Sequence, residues 1–127
     1  YTNFVPLQRI AQNIVEEQTK SIENMERVLT HCECILNTHQ DLCRYEKRFC
    51  QITRAMFSQM RNACSDNNIN ADFMREMIPH HRGAIQMSKN VLHYPICPEL
   101  DPILQAIITS QEKGVQEMEC LLQHLGC

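Results

Sequence analysis

The chain has no tryptophan, only three glycines and five prolines among 127 residues. A composition so poor in turn formers suits a helical protein better than one built from short strands. No stretch approaches the roughly 20 consecutive apolar residues of a membrane-spanning helix, so no membrane span is expected. The 12 Lys and Arg are scattered among 15 Asp and Glu, for a net charge of −3. There is thus no basic footprint for nucleic acid, and that partner class is set aside. No Cys-x-x-Cys occurs, which weakens a thioredoxin-type reading. No Glu-x-x-His occurs either, because Glu76 and His80 are four apart, and this argues against a di-iron oxidase or ferritin-like iron chemistry. A nucleophile motif and a glycine-rich phosphate loop are also missing. No enzyme is expected.

A chain of this length can bury about two-thirds of its unfolded surface, enough for one core and too little for two. Residues 1–127 are therefore read as a single domain. Apolar residues at helical spacing (Leu7, Ala11, Ile14, Val15, Ile22, Met25, Val28, Leu29, Cys32, Ile35, Leu36) predict a first helix over 5–37. A second stripe (Leu42, Cys43, Phe49, Cys50, Met56, Phe57, Met60, Ala63, Cys64) predicts a helix over 39–64, ended by the turn formers SDNNIN. Asn70 or Asp72 can cap a third helix over 70–93, and the proline-punctuated YPICPELDP leads into a fourth over 98–125. Four helices with short links imply an all-α antiparallel four-helix bundle.

The segment MREMIPHHRGAIQM (74–87) breaks two helix rules. Pro79 lacks an N–H and crowds the carbonyl of Arg75, at about 3 kcal/mol in an ordinary helix interior. Gly83 costs roughly another 0.5–1 kcal/mol relative to alanine. Such rule-breaking is commoner at functional sites. On a helix Met77 lies between His80 and His81, so a thioether and two imidazoles share one face. Soft cations such as Cu(I) favour thioether and thiolate sulfur, and imidazole suits copper and zinc. If the third and fourth helices are antiparallel about a loop centred near 95–96, Gln111 lies beside His80 and Gly114 beside Met77. Met118 is then about one turn from Met77, and Gln111 is placed to orient an imidazole behind the ligands. Met87 lies about 10 Å further along the axis and belongs to an accessory locus. Methionines at helical spacing also serve as ordinary core filler, and the histidines can be structural.

HCEC (31–34) is the rival site. His31, Cys32 and Cys34 could hold zinc or copper, with Cys43 arriving from the next helix. A hairpin turning near 38–39 puts Cys34 level with Cys43, and the same geometry suits a disulfide, with Cys32–Cys43 as the competing pair. Eight cysteines in so short a chain fit a disulfide framework in an oxidising compartment, or small buried apolar residues.

The first and last helices repeat one another. IVEEQTKSIENMERVL from Ile14 lies over IITSQEKGVQEMECLL from Ile107, matching Gln18 with Gln111, Met25 with Met118 and Leu29 with Leu122. At the same offset Tyr1 meets Tyr94. If the repeat is a duplication, a helix of about twenty residues bearing a histidine pair is expected before Tyr1, and without it the bare stripe of the first helix favours a homodimer.

DFMREMIPHHRGAIQM (72–87), followed by CPELDPILQAIITSQEKGVQEM (97–118), resembles the bacterial domain-of-unknown-function family 305, with its Met-Ile-Pro-His-His-x-x-Ala-Ile-x-Met segment and later Ile-x-x-x-Gln…Met helix. The likeness covers about residues 70–125. It implies a ferritin-like four-helix bundle, an extracytoplasmic location, and copper binding through Met77, His80, His81, Met87 and Met118. The chain departs from the pattern at Gly114 and in the cysteine-rich segment 31–64. The expected function is soft-metal binding or sequestration, with Cu(I) as the ion and zinc as the alternative at the cysteines. The competing readings are a structural or protein-interaction module with incidental histidines, and a cysteine-based metal or redox sensor.

Overall fold

The computed structural model describes residues 5–32, 36–66 and 68–125, with the side chain of His31 outside that description. These form α1 (Val5–His31), α2 (His39–Arg61), α3 (Ile69–Val91) and α4 (Leu100–His124). No strand occurs among the described residues, and the protein is an all-α four-helix bundle. None of its described helices is long and apolar enough to cross a membrane.

Helix ends differ from the sequence reading for local reasons. α1 stops at His31 rather than 37, and Cys32, the next residue, is bonded to Cys97. α2 starts where expected because Thr38 Oγ1 accepts the Asp41 N–H at 3.0 Å. It ends at Arg61 rather than 64. The cap of α3 is Asn68, not Asn70 or Asp72: its Oδ1 accepts the N–H groups of Asn70 and Ala71 at 3.0 and 3.3 Å. Asp72 instead clamps the preceding loop, accepting from Ser65 Oγ at 3.1 Å and the Asp66 N–H at 3.0 Å. Arg75 reaches Asp66 at 2.9 Å and Asp72 at 3.5 Å. The Asn68 N–H and the Arg75 guanidinium both favour the ionised Asp66, holding its pKa below the ordinary value.

α3 packs between α2 and α4, and α1 lies along α4. α1 and α4 are antiparallel: Arg9 and Ile10 share a hollow with Gln116 and Cys120, while Asn13 and Glu17 meet Ser110 and Lys113. The Cys32–Cys97 bridge closes the far end of that pair. Leu7 and Ile10 of α1 complete a core with Met74 and Ile78 of α3 and Val115 and Met118 of α4. The long apolar stripe expected to bury α1 divides in two. Leu7, Ile10 and Val28 are buried, but Val15, Ile22 and Leu29 are 64%, 53% and 82% exposed. They lie roughly a quarter-turn round the helix from the α4-facing side. Likewise the buried side of α2 is carried by Ile52 and Met56, whereas Cys43, Cys50 and Phe57 from the predicted stripe face solvent. Tyr1 lies outside the described residues, as does its proposed match to Tyr94.

Gly83 owes its place to packing. A Cβ there would meet Met56 Sδ, and would lie 2.9 Å from its Cγ and 3.2 Å from its Cβ, where α2 crosses α3. Gly83→Ala is therefore expected to destabilise the fold by about 1–3 kcal/mol, less the roughly 0.5–1 kcal/mol gained in helix propensity. Urea denaturation measures the difference.

Candidate metal centre

Pro79 sits buried inside α3, and the two residues after it are the histidine pair. With no N–H at 79 to bond the Arg75 carbonyl, the helix gives up one rung just before His80 and His81. The rings of His80 and His81 are 6.1 Å apart between centroids and inclined at 62°.

Only 1% of His81 is exposed. Its Nδ1 lies 2.9 Å from the Met77 carbonyl oxygen. A carbonyl can only accept, so Nδ1 carries the proton and Nε2 keeps its lone pair. That is the tautomer in which an imidazole ligates, with the other nitrogen held by a backbone carbonyl. Across the interface, a Cβ on Gly114 would stand 3.1 Å from His81 Cδ2 and 3.4 Å from Nε2. Gly114 is thus the position that leaves room for the ring. His81 and Gly114 also line a cavity of about 30 Å³ with Asn13, Glu17, Ser110, Lys113 and Glu117. That volume admits a water or a bare ion, and two carboxylates border it.

This contact corrects the register expected from the sequence. His81 faces Gly114, so α3 and α4 are offset by about one turn from a loop centred at 95–96. Met118, not Gly114, comes level with Met77. Met77 is partly buried and packs against the cluster containing Met118, which is 0% exposed. Gln111, expected beside His80, is buried at 4% exposure, and its Oε1 has no hydrogen-bond partner. His80 Nδ1 is a second buried atom without one. Met87 is partly buried, two turns beyond His80. Met77 thus packs against the cluster that holds Met118, and His81 lies against Gly114, four residues before Met118 on α4. Among the described residues no group of three or more His, Cys, Asp or Glu is gathered as for a metal.

The rival cluster is dispersed. Cys32 pairs with neither Cys43 nor a metal but with Cys97, 65 residues away, at a Cα–Cα distance of 6.3 Å. Cys34 and the side chain of His31 lie outside the described residues. Cys43 is free and exposed. Topology could have pointed to Cys97: in an up-down bundle the α1–α2 and α3–α4 connections share one end. Asn37 Nδ2 bonds the Pro95 oxygen at 2.9 Å and the Tyr45 and Tyr94 rings meet edge-on at that same end.

The model of the family described as Domain of unknown function (DUF305) matches residues 2–122. The chain belongs to that family. The match extends the likeness seen at 70–125 across α1 and the cysteine-rich segment, so residues 31–64 of this DUF305 protein lie within the family domain. No curated protein matches the chain.

Burial favours the neutral imidazole, so the pKa of His81 lies below 6.5; the Met77 carbonyl opposes this and the nearby His80 adds to it. Below the unfolded-state value, near 6.5, the unfolded chain takes up a proton that folded His81 resists. This contribution to stability is therefore complete above that pH and is lost as pH falls toward the folded pKa. Denaturation midpoints compared between the parent and His81→Asn from pH 7.5 to 4.5 should show the parent falling more steeply.

Proposed function

We propose that this DUF305 protein binds or sequesters a soft cation, Cu(I) foremost, without catalysing a reaction. Met77, His81 through Nε2, and Met118 are the ligands; His80 adjoins them, Gln111 stands behind, and Met87 belongs to an accessory locus. The observation that carries this reading is the tautomer of His81 set by the Met77 carbonyl, whose unprotonated nitrogen faces the α4 glycine beside a small cavity bordered by Glu17, Glu117 and Lys113. Three donors of thioether and imidazole type suit a monovalent soft ion. The two orphaned polar atoms, His80 Nδ1 and Gln111 Oε1, are also consistent with a buried guest. An extracytoplasmic setting accompanies the proposal, and a disulfide is compatible with it.

The test is Cu(I) titration against a competing chelator, in protein whose free cysteines are blocked so that thiolates cannot mask the site. A His80→Ala, His81→Ala variant should lose one high-affinity equivalent. Unchanged stoichiometry and affinity would refute the reading. Affinity should also weaken as pH drops, because imidazole must be unprotonated to ligate.

The interaction-module reading rests on a different surface. Val15, Ile22 and Leu29 recur every seven residues and are exposed, a spacing that suits a seam with another helix. Their counterparts in the repeat, Ile108, Val115 and Leu122, lie on α4, with Ile108 and Val115 buried. We propose that α1 pairs with α1 of a second copy as a homodimer. Sedimentation equilibrium should give a dimer for the parent and a monomer for Ile22→Glu; a monomeric parent would contradict it.

A further inference from the structure

We propose that the outer face of α2 docks on an anionic phospholipid bilayer, with the helix lying flat against the headgroups. This surface is independent of the Met77/His81/Met118 reading and of the α1 pairing. α2 carries Arg44, Lys47, Arg48, Arg54 and Arg61 against two carboxylates, Asp41 and Glu46, in a chain whose net charge is −3. All five cations are exposed. Among the described residues none of the five forms an ion pair. Outside α2, by contrast, Arg75 meets Asp66 at 2.9 Å, Arg82 meets Glu119 at 3.2 Å and Lys113 meets Glu117 at 3.9 Å. Positive charge has thus collected, without neutralising partners, on one helix of an acidic protein.

The same helix presents large apolar side chains to solvent. Leu42, Phe49 and Phe57 are 47%, 40% and 50% exposed, and the Phe49 ring rests on Tyr45 with centroids 6.2 Å apart. Residues seven apart fall nearly in line along a helix, so the outer face divides into rows. Leu42 and Phe49 form one, Cys43, Cys50 and Phe57 the next, and Lys47, Arg54 and Arg61 a third. Glu46 is the one carboxylate among them. Apolar rows flanked by long cationic side chains suit a helix lying in a membrane interface. There Phe and Leu enter the acyl boundary while Lys and Arg reach the lipid phosphates. Duplex nucleic acid would meet the charge and leave Leu42 and Phe57 without an apolar partner. α2 joins the bundle through α3, so its outer side is open along a length of about 35 Å.

The test floats the full, disulfide-intact chain with vesicles of phosphatidylglycerol and phosphatidylcholine in equal parts, or of phosphatidylcholine alone. In low salt the anionic vesicles should bind at least tenfold more tightly, and high salt should remove the difference. Replacing Lys47, Arg54 and Arg61 together with glutamine should weaken binding at least tenfold. The same change of charge at the exposed Arg9, Lys20 and Lys89 should weaken it less than twofold. Leu42→Ser with Phe57→Ser should weaken it at least fivefold, and urea midpoints confirm that each variant keeps its fold. The proposal is overturned by an absence of binding to anionic vesicles in low salt, by equal losses in the two glutamine variants, or by binding that ignores the serine substitutions. Tighter binding to a short DNA duplex than to the vesicles would assign the charge to nucleic acid instead. Lipid-free self-association abolished by the serine substitutions would assign the face to a second copy, and either result overturns the proposal.

Discussion

Replacing Cys32 and Cys97 together with serine is expected to lower the stability of the fold by about 4 kcal/mol. The bridge spans 65 residues, and in the chain-entropy model closing a loop of that size removes freedom from the unfolded chain worth about 4 kcal/mol at 25 °C. The loss should appear as a shift in the urea midpoint. The local consequence is as informative. α1 is held to the bundle by Leu7, Ile10 and Val28 and by this covalent tie at its end, so cutting the tie should release its C-terminal half first. Amide exchange in residues 20–31 should then accelerate more than exchange in α3.

The second large effect concerns Met118, which is 0% exposed within the core formed with Leu7, Ile10, Met74, Ile78 and Val115. Met118→Ala should cost about 2–5 kcal/mol through lost burial and the cavity left behind. Met118→Leu nearly conserves volume and should cost less than about 1.5 kcal/mol. It removes the thioether, however. If Met118 is a ligand, the leucine variant keeps its fold and loses at least tenfold in Cu(I) affinity. Stability and binding then separate in one substitution, which a purely structural methionine would not allow.

Much of the fold was legible because helical periodicity places apolar residues every three or four positions, and that pattern survives in each of α1 to α4. What periodicity cannot do is say which part of a broad stripe meets a neighbour. α1 carries two adjacent apolar sides, and its helix neighbour α4 covers only the one with Leu7 and Ile10. The α3–α4 register lies about one turn from the expected one because helical periodicity does not fix the path of the connection between Val91 and Leu100. Pro79 and the histidine pair stood out as local exceptions. Gly83 looked like a second exception of the same kind, yet its reason is Met56 on another helix, which no local reading reveals. The role of Gly114 likewise depends on another helix, through the His81 ring packed against it. The pairing of Cys32 with Cys97 depends on two connections meeting at one end.

Gly114→Ala should strengthen α4 by up to about 1 kcal/mol in helix propensity while crowding His81, so it should leave stability nearly unchanged and weaken Cu(I) binding. The most direct measurement is X-ray absorption of the Cu(I)-loaded protein with every free cysteine replaced by serine. Three-coordinate Cu(I) with one imidazole nitrogen and two thioether sulfurs is expected, the nitrogen contribution disappearing in His81→Ala. A protein that holds no Cu(I) once its free thiols are gone, or a coordination shell without imidazole, would contradict it.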